Sequence, residues 1–276
     1  MDGILLVAKP AGVTSHDVVE SIRRARGAKT GHAGTLDPFA TGLLVVLVGR
    51  ATRLQRYMVG LPKAYRVVAR FGAISDTGDP TGAVTSTGVG TDEGSVRAAA
   101  ARLTGEIEQR VPAYSAVKVG GERLYRKARR GEDVEVPVRQ VVIDALDLVR
   151  FDEGAQEAGL TVRCSSGTYV RQLVADLGEL CGAGAYCLEL ERTAVGPFAL
   201  AEADPERVRP LSDALPFLPE CPLTEGEADD VRHGRAVHSP GGVGEEGSAV
   251  RLTREGALLA VARRRGDLLK PETVLT

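Results

Sequence analysis

One carboxylate stands alone in a basic stretch of chain. Between Ser21 and Ser75 the only Asp or Glu is Asp37, while Arg23, Arg24, Arg26, Lys29, Arg50, Arg53, Arg56, Lys63, Arg66 and Arg70 share the span. Cations in such number can hold a polyanion, and a cation close to an acid favours its ionised form. Asp37 lies in GHAGTLDPFATGLLVVLVG, residues 31–49. Gly31 and Gly34 admit backbone angles closed to other residues, and Pro38 biases Asp37 toward an extended conformation. The segment reads as a shaped loop that presents the Asp37 side chain, anchored by the apolar run behind it. Asp before Pro also suits an ordinary turn.

Arg171 raises a matching question. It falls in the first turn of a predicted helix, where the helix dipole disfavours a cation by roughly 0.3–1 kcal/mol. Either the side chain is long and exposed and escapes that penalty, or an anion sits there. A carboxylate or an RNA phosphate would use both the guanidinium and the helix N-terminus.

Other chemistries find no support. The four cysteines, at 164, 181, 187 and 221, form no CxxC pair, and His233 and His238 are five apart with no HExxH, so no metal site is expected. GHAG is not followed by the Gly-Lys-Ser/Thr of a phosphate loop, and matches the GxxG of a KH domain only by spelling. Asp76 and Asp79 lack the further acids of a calcium loop.

The elements that must position these residues follow from local pattern. TSHDVVESIRRARG (14–27) predicts a helix capped by Thr14 or Ser15 and ended by Gly27. Ile4–Val7 reads as a first strand and Leu43–Val48 as a buried one. In 64–72, Tyr65, Val67, Ala69 and Phe71 alternate with polar positions, which predicts a half-buried strand. Residues 75–82 are a loop, 95–105 a short helix capped by Ser95, and Gly120-Gly121 a turn joining two strands. Leu160–Cys164 is a strand, Ser165–Gly167 a turn, and the helix after it carries Val170, Leu173, Val174, Leu177 and Leu180 on one face. Tyr186, Leu188 and Leu190 alternate with Cys187, Glu189 and Glu191 in another strand. The Pro-rich stretch 204–222 reads as a connector. Beyond it lie one helix (Glu225–His233), a Gly-rich loop (Ser239–Gly247) and strand-like runs (Ala249–Leu252, Leu258–Val261), a small β-rich appendage.

The chain has 276 residues with 43% hydrophobic and 26% charged content, as in a soluble globular protein. No apolar run is long enough for a membrane helix, and the N-terminus lacks a basic region before its apolar residues. The expected location is the cytoplasm, with free thiols. Net charge is only −2, so the signal for a polyanion partner lies in distribution: residues 21–75 and 110–131 are basic and the acids collect after 200.

Taken together, the motifs resemble the TruB family of pseudouridine synthases. GHAGTLDPFATGLL with GRATR close behind is similar to that family's catalytic motif, and KPAGVTSHDVV (9–19) to its N-terminal one. KAYRVVARFGAISDTGDPTG (63–82), PAYSAVKVGGERLYRKARRG (112–131), CSSGTYVRQLVADLG (164–178) and LERTAVGPF (190–198) follow in the family's order. The tail, from PLTEGEADDVRHGRAV onward, is similar to a PUA-type RNA-binding domain.

The resemblance implies an α+β pseudouridine synthase fold: a mixed, mainly antiparallel sheet flanked by helices, with a small C-terminal β-rich PUA-like domain. Residues 1–215 would be catalytic, with 110–137 an insertion that clamps RNA, and 222–276 would bind RNA. The implied reaction isomerises uridine to pseudouridine in the T-loop of tRNA, at position 55. Asp37 would be the essential carboxylate and Arg171 its ion-pair partner. Tyr65 would stack on the target base, Leu190 would wall the pocket, and His32 would help extrude the uridine. Lys9, Arg53 and Asp79 would support the site; some relatives carry Lys where Arg53 stands. No cofactor or metal is implied. The expected partner is the T-arm stem-loop of tRNA, with no obligate protein partner, and the expected state a monomer. The rival readings are a synthase acting on another RNA and an RNA-binding or RNA-folding protein without catalysis.

Overall fold

The computed structural model describes residues 2–112, 114, 115, 117–119, 121–124, 127, 130, 132 and 136–275. The first strand, β1 (Gly3–Lys9), is buried along nearly its whole length. The helix α1 (Ser15–Arg26) follows, capped by Thr14 in a capping box with Asp17 and ended by Gly27 in the left-handed conformation. Two strands, β2 (Thr30–His32) and β3 (Thr41–Val48), bracket the loop that carries Asp37. A 3-10 turn (Gly49–Leu54) runs into the short helix α2 (Gln55–Met58), and β4 (Lys63–Phe71) follows with the expected alternation.

A small hairpin, β5 (Ala73–Ser75) and β6 (Val84–Ser86), closes the loop between them. The next helix, α3 (Glu93–Arg102), begins two residues earlier than expected because Asp92 is its cap, accepting from the Ser95 amide at 2.9 Å. Then come β7 (Gly105–Arg110), the paired dipeptides β8 (Lys118–Val119) and β9 (Glu122–Arg123), and the long strand β10 (Val138–Asp152). Gly121, at φ +86°, supports the expected turn between β8 and β9, while its companion Gly120 lies outside the described residues. So do residues 113, 116, 125, 126, 128, 129, 131 and 133–135 of the expected insertion.

The chain continues through β11 (Glu157–Cys164), helix α4 (Val170–Leu180) and β12 (Ala185–Val195). Along β12 the expected alternation breaks. Cys187 is buried and Leu188 is not, because the register shifts between Cys187 and Glu189 before Leu190 and Arg192 turn inward. The 204–222 stretch is more than a connector. After β13 (Phe198–Ala199) it contributes β14 (Asp204–Arg209), an edge strand on β1, and β15 (Glu220–Pro222), which opens the second sheet.

The first sheet has ten strands in the order β14-β1-β3-β12-β4-β11-β10-β7, with β13 on β12 and β2 on β3. Every pairing is antiparallel except β3 with β12, which is parallel over Thr41–Gly42 and Glu191–Arg192 only. One apolar cluster packs α3 and α4 on β4, β10, β11 and β12. Another packs α1 on β1 and β3.

The second sheet is formed by β15, β17 (Ala249–Arg254), β18 (Ala257–Arg265), β19 (Leu268–Val274) and β16 (Val237–His238), with helix α5 (Glu225–Arg232) against it. It is not loosely tethered. Leu258, Val261 and Leu275 share one buried cluster with Ile4, Leu54, Met58 and Leu215. Arg50 joins the two parts by donating to Asp2 Oδ2 at 2.6 Å and to the Leu275 carbonyl at 2.5 Å. Each such apolar side chain contributes about 1.5–3 kcal/mol when fully buried. Deleting residues 222–276 is therefore expected to lower the melting midpoint of the remainder by roughly 10 °C, read by circular dichroism. An unchanged midpoint would show that the shared cluster contributes nothing.

Candidate active site

The loop between β2 and β3 is held at almost every residue. Arg192 Nη2 donates to the Gly34 carbonyl at 3.0 Å and Nη1 to that of Thr35 at 3.3 Å. The Ser15 hydroxyl accepts from the Leu36 amide at 2.8 Å and donates to the Leu36 carbonyl at 3.0 Å. The Pro38 carbonyl accepts from the Gly12 amide at 2.8 Å and from Lys9 Nζ at 3.3 Å. Thr14 alone caps α1, which frees Ser15 for this second task. Of the two glycines expected to shape the loop, Gly34 does so at φ +117°, whereas Gly31 is an ordinary strand residue.

This scaffold delivers Asp37 to Arg171. The guanidinium meets the carboxylate side-on, Nε to Oδ2 at 2.8 Å and Nη2 to Oδ1 at 3.3 Å. The same group donates from Nη1 to the Thr77 carbonyl and from Nη2 to the Tyr114 carbonyl at 3.1 Å. Asp79 Oδ2 lies 3.4 Å from Nη1. Asp79 is itself fixed, its Oδ1 accepting from the Thr81 amide and the Thr77 hydroxyl at 2.9 Å each. The Arg171 side chain is 4% exposed and that of Asp37 36%. The cation is thus locked inside while the carboxylate reaches the surface. That decides between the two sequence readings of Arg171: it is buried at the helix N-terminus and answered by an acid.

Lys9 is 1% exposed and spreads its charge over the carbonyls of Pro10, Val13 and Pro38. Burial lowers its pKa, and the Asp37 charge works against that shift. Tyr65 and Leu190, on the adjacent strands β4 and β12, share an apolar cluster with Leu36 and Ala40 of the loop. Burial pushes the Tyr65 hydroxyl up to about 12, so it stays protonated. A groove of about 850 Å³ opens beside them, lined in part by Gly12, Phe39, Thr41, Val68, Thr161 and Leu190.

His32 and Arg53 are not brought to the carboxylate. His32 sits in β2, its carbonyl held by Gln55 Nε2 at 2.8 Å and its Nδ1 buried without a hydrogen-bond partner. Burial lowers the His32 pKa, so the ring is neutral at pH 7. Arg53 is exposed on the 3-10 turn next to β2. Among the described residues, no group of three or more His, Cys, Asp or Glu is placed to hold a metal ion.

Sequence reasoning missed Ser15 as a loop clamp, the Thr77 and Tyr114 carbonyls, and Arg192. Only Arg192 left a usable signal: an arginine two residues after inward-facing Leu190 on a strand is due to point inward as well.

A single carboxylate paired with a buried arginine beside a mixed sheet fits the expected class, and comparison shows it. The chain belongs to the TruB family of pseudouridylate synthases: residues 22–170 match that family's N-terminal domain. It is 40% identical over 295 residues to the tRNA pseudouridine synthase B of Arthrobacter sp. strain FB24, covering 99% of this chain and 96% of that one. Its identity to the tRNA pseudouridine synthase B of Mycobacterium sp. strain KMS is 42% over 273 residues, covering 94% and 91%. In fold it is similar to a chain of an H/ACA ribonucleoprotein bound to a substrate RNA containing 2′-deoxyuridine. That likeness has a TM-score of 0.76 at 21% identity, over 99% of this chain and 85% of the other.

Proposed function

We infer that the protein isomerises uridine to pseudouridine in tRNA, at position 55 of the T-loop, with Asp37 as the reacting carboxylate. The bond from ribose C1′ to uracil N1 breaks, the base turns, and C1′ bonds to C5. C5 releases its hydrogen as a proton and N1 ends protonated, so the step is redox-neutral and neither gains nor loses atoms. Asp37 either adds covalently to the substrate or takes a proton from the ribose. Both routes need an ionised carboxylate that an extruded nucleotide can touch, and the observation that carries the reading is the half-open Asp37 on fully enclosed Arg171. Extrusion costs a few kcal/mol, which contacts to the flipped base offset. Tyr65 and Leu190 are the residues assigned to those contacts, His32 to the extrusion, and Arg53 to RNA phosphate.

Residues 1–215 carry the chemistry in this reading and 222–276 bind RNA as a PUA-like domain. Support for 110–137 as the clamp is the bond from Arg171 to the Tyr114 carbonyl, which ties this segment to the carboxylate. The protein acts as a monomer without an obligate protein partner, in the cytoplasm where its tRNA substrate is. No helix among the described residues is long and apolar enough to cross a membrane.

The test is to incubate purified protein with one unmodified tRNA transcript in EDTA, with no nucleotide added, and map pseudouridine by position. A single product in the T-loop at the full rate is expected. Product at another position, or turnover that needs a divalent ion while the RNA stays folded, would contradict the reading.

A further inference from the structure

One of the two most deeply enclosed cations among the described residues, beside Lys9, takes no part in the Asp37–Arg171 pair. Arg192 is 1% exposed, and among the described residues it has no ion-pair partner. Its three nitrogens instead donate to backbone: Nε to Leu43 at 2.8 Å, Nη2 to Gly34 at 3.0 Å and Nη1 to Thr35 at 3.3 Å. A buried charge of this kind is a poor device for stability, because a well-packed apolar side chain of similar volume serves as well or better.

Two glycines bring the neighbouring chain close to Arg192. Gly42, at φ +102°, lets the two backbones approach so closely that a Cβ there would lie 2.3 Å from the Arg192 carbonyl oxygen, which sets the strand that carries Arg192 against the start of β3. Gly34 turns its carbonyl inward at φ +117°, and a Cβ there would lie 3.6 Å from Nη1. On its other side Arg192 pairs with Tyr65. The charged and titratable groups facing Asp37 are Lys9, Tyr65, Asp79, Arg171, Cys187 and Arg192. Arg171 holds the carboxylate itself and Lys9 holds the residue after it. Arg192 holds the two residues that set where the loop starts toward Asp37.

We propose that Arg192 is a positioning residue for the isomerisation, fixing the loop ahead of Asp37 through the Gly34 and Thr35 carbonyls. The proposal rests on the assignment of Asp37 as the reacting group. Arg171 and Arg192 divide the work: one orients the carboxylate, the other its backbone. The guanidinium suits this task because its planar fork reaches three carbonyls at once, which an ammonium on a flexible stem does not.

The test compares Arg192→Lys and Arg192→Met with the unaltered protein in melting midpoint, tRNA dissociation constant and single-turnover rate. Both variants are expected to bind tRNA within about threefold of the unaltered protein, since the phosphate-facing surface is untouched. Arg192→Lys should be slower by on the order of 10- to 100-fold, the usual scale for a small misplacement of a reacting group. Arg192→Met removes all three donors and should be at least as slow. A purely structural role would lower the midpoint and leave the single-turnover rate of the folded variant where it was. Folded Arg192 variants with the unaltered rate would overturn the proposal. Should neither variant fold, Gly34→Ala leaves Arg192 in place and strains only the loop it holds. A loss of about tenfold in rate at unchanged affinity is then expected, and an unaltered rate would overturn the proposal. Absence of pseudouridine with the unaltered protein would instead remove the parent assignment, so the two failures are distinct.

Discussion

Arg171→Lys slows pseudouridine formation on bound tRNA by on the order of 10²-fold, equivalent to about 2.7 kcal/mol of barrier, and leaves tRNA affinity nearly unchanged. Arg171 reaches two carboxylate oxygens of Asp37 and the carbonyls of Thr77 and Tyr114 from one rigid plane. An ammonium has three donors on a flexible stem and cannot span four acceptors in that arrangement. With the side chain 4% exposed, water cannot readily replace the lost bonds. Either Asp37 swings from its position or a buried carbonyl goes unsatisfied, at a cost of about 1–3 kcal/mol. Affinity survives because the charge is kept and the side chain, 4% exposed, is closed to the solvent a phosphate would come from. Single-turnover rates with enzyme in excess, paired with dissociation constants at the same salt, check this. Full activity in the variant would mean that the planar fork is dispensable.

Local pattern made five of the ten strands of the first sheet (β1, β3, β4, β11 and β12) and its three large helices readable, and left β2, β7, the long β10, β13 and β14 unread. Thr14 and Gly27 mark the two ends of α1, and the alternation in β4 names its buried face. Local pattern failed where tertiary pairing replaces it. The edge strand β14 is exposed along most of its length, so it has no buried face to show in sequence, and its register comes from β1. In β19, Pro271 masks a strand that tolerates it beside a register shift in β18. The bulge after Cys187 reverses the burial that simple alternation assigns to Leu188.

The site divides in the same way. Asp37 stood out by its isolation, and the pairing of Arg171 with it was legible from motif resemblance and from a cation at a helix N-terminus. Ser15 looked like a second cap, because hydroxyls near helix starts usually are. Its bonds to Leu36, 21 residues on, have no local sequence signature. Thr77 and Tyr114 contribute backbone oxygens, for which side-chain identity carries no signal.

Asp37→Asn carries the largest expected effect and bears on the central claim, that one ionised carboxylate on a fixed loop drives the isomerisation. The substitution keeps shape and removes charge. Asn suits turns as well as Asp does, so a purely structural Asp37 would be replaced with little loss. The amide turns one donor toward the donors of Arg171, which lowers stability modestly, by about 1–2 kcal/mol once the partial exposure of Asp37 is allowed for. The protein stays folded. Loss of a catalytic acid or base removes at least 10²–10⁴ in rate. The deciding measurement is the single-turnover yield of pseudouridine from one tRNA transcript with Asp37→Asn in large excess, alongside the dissociation constant of the same complex. The expected result is a rate at least 10²-fold below the unaltered protein with tRNA bound as tightly or more so. Substantial turnover by the variant, with contamination and deamidation back to Asp excluded, would contradict the assignment of Asp37, and tight binding without turnover in both proteins would leave an RNA-binding protein in place of an enzyme.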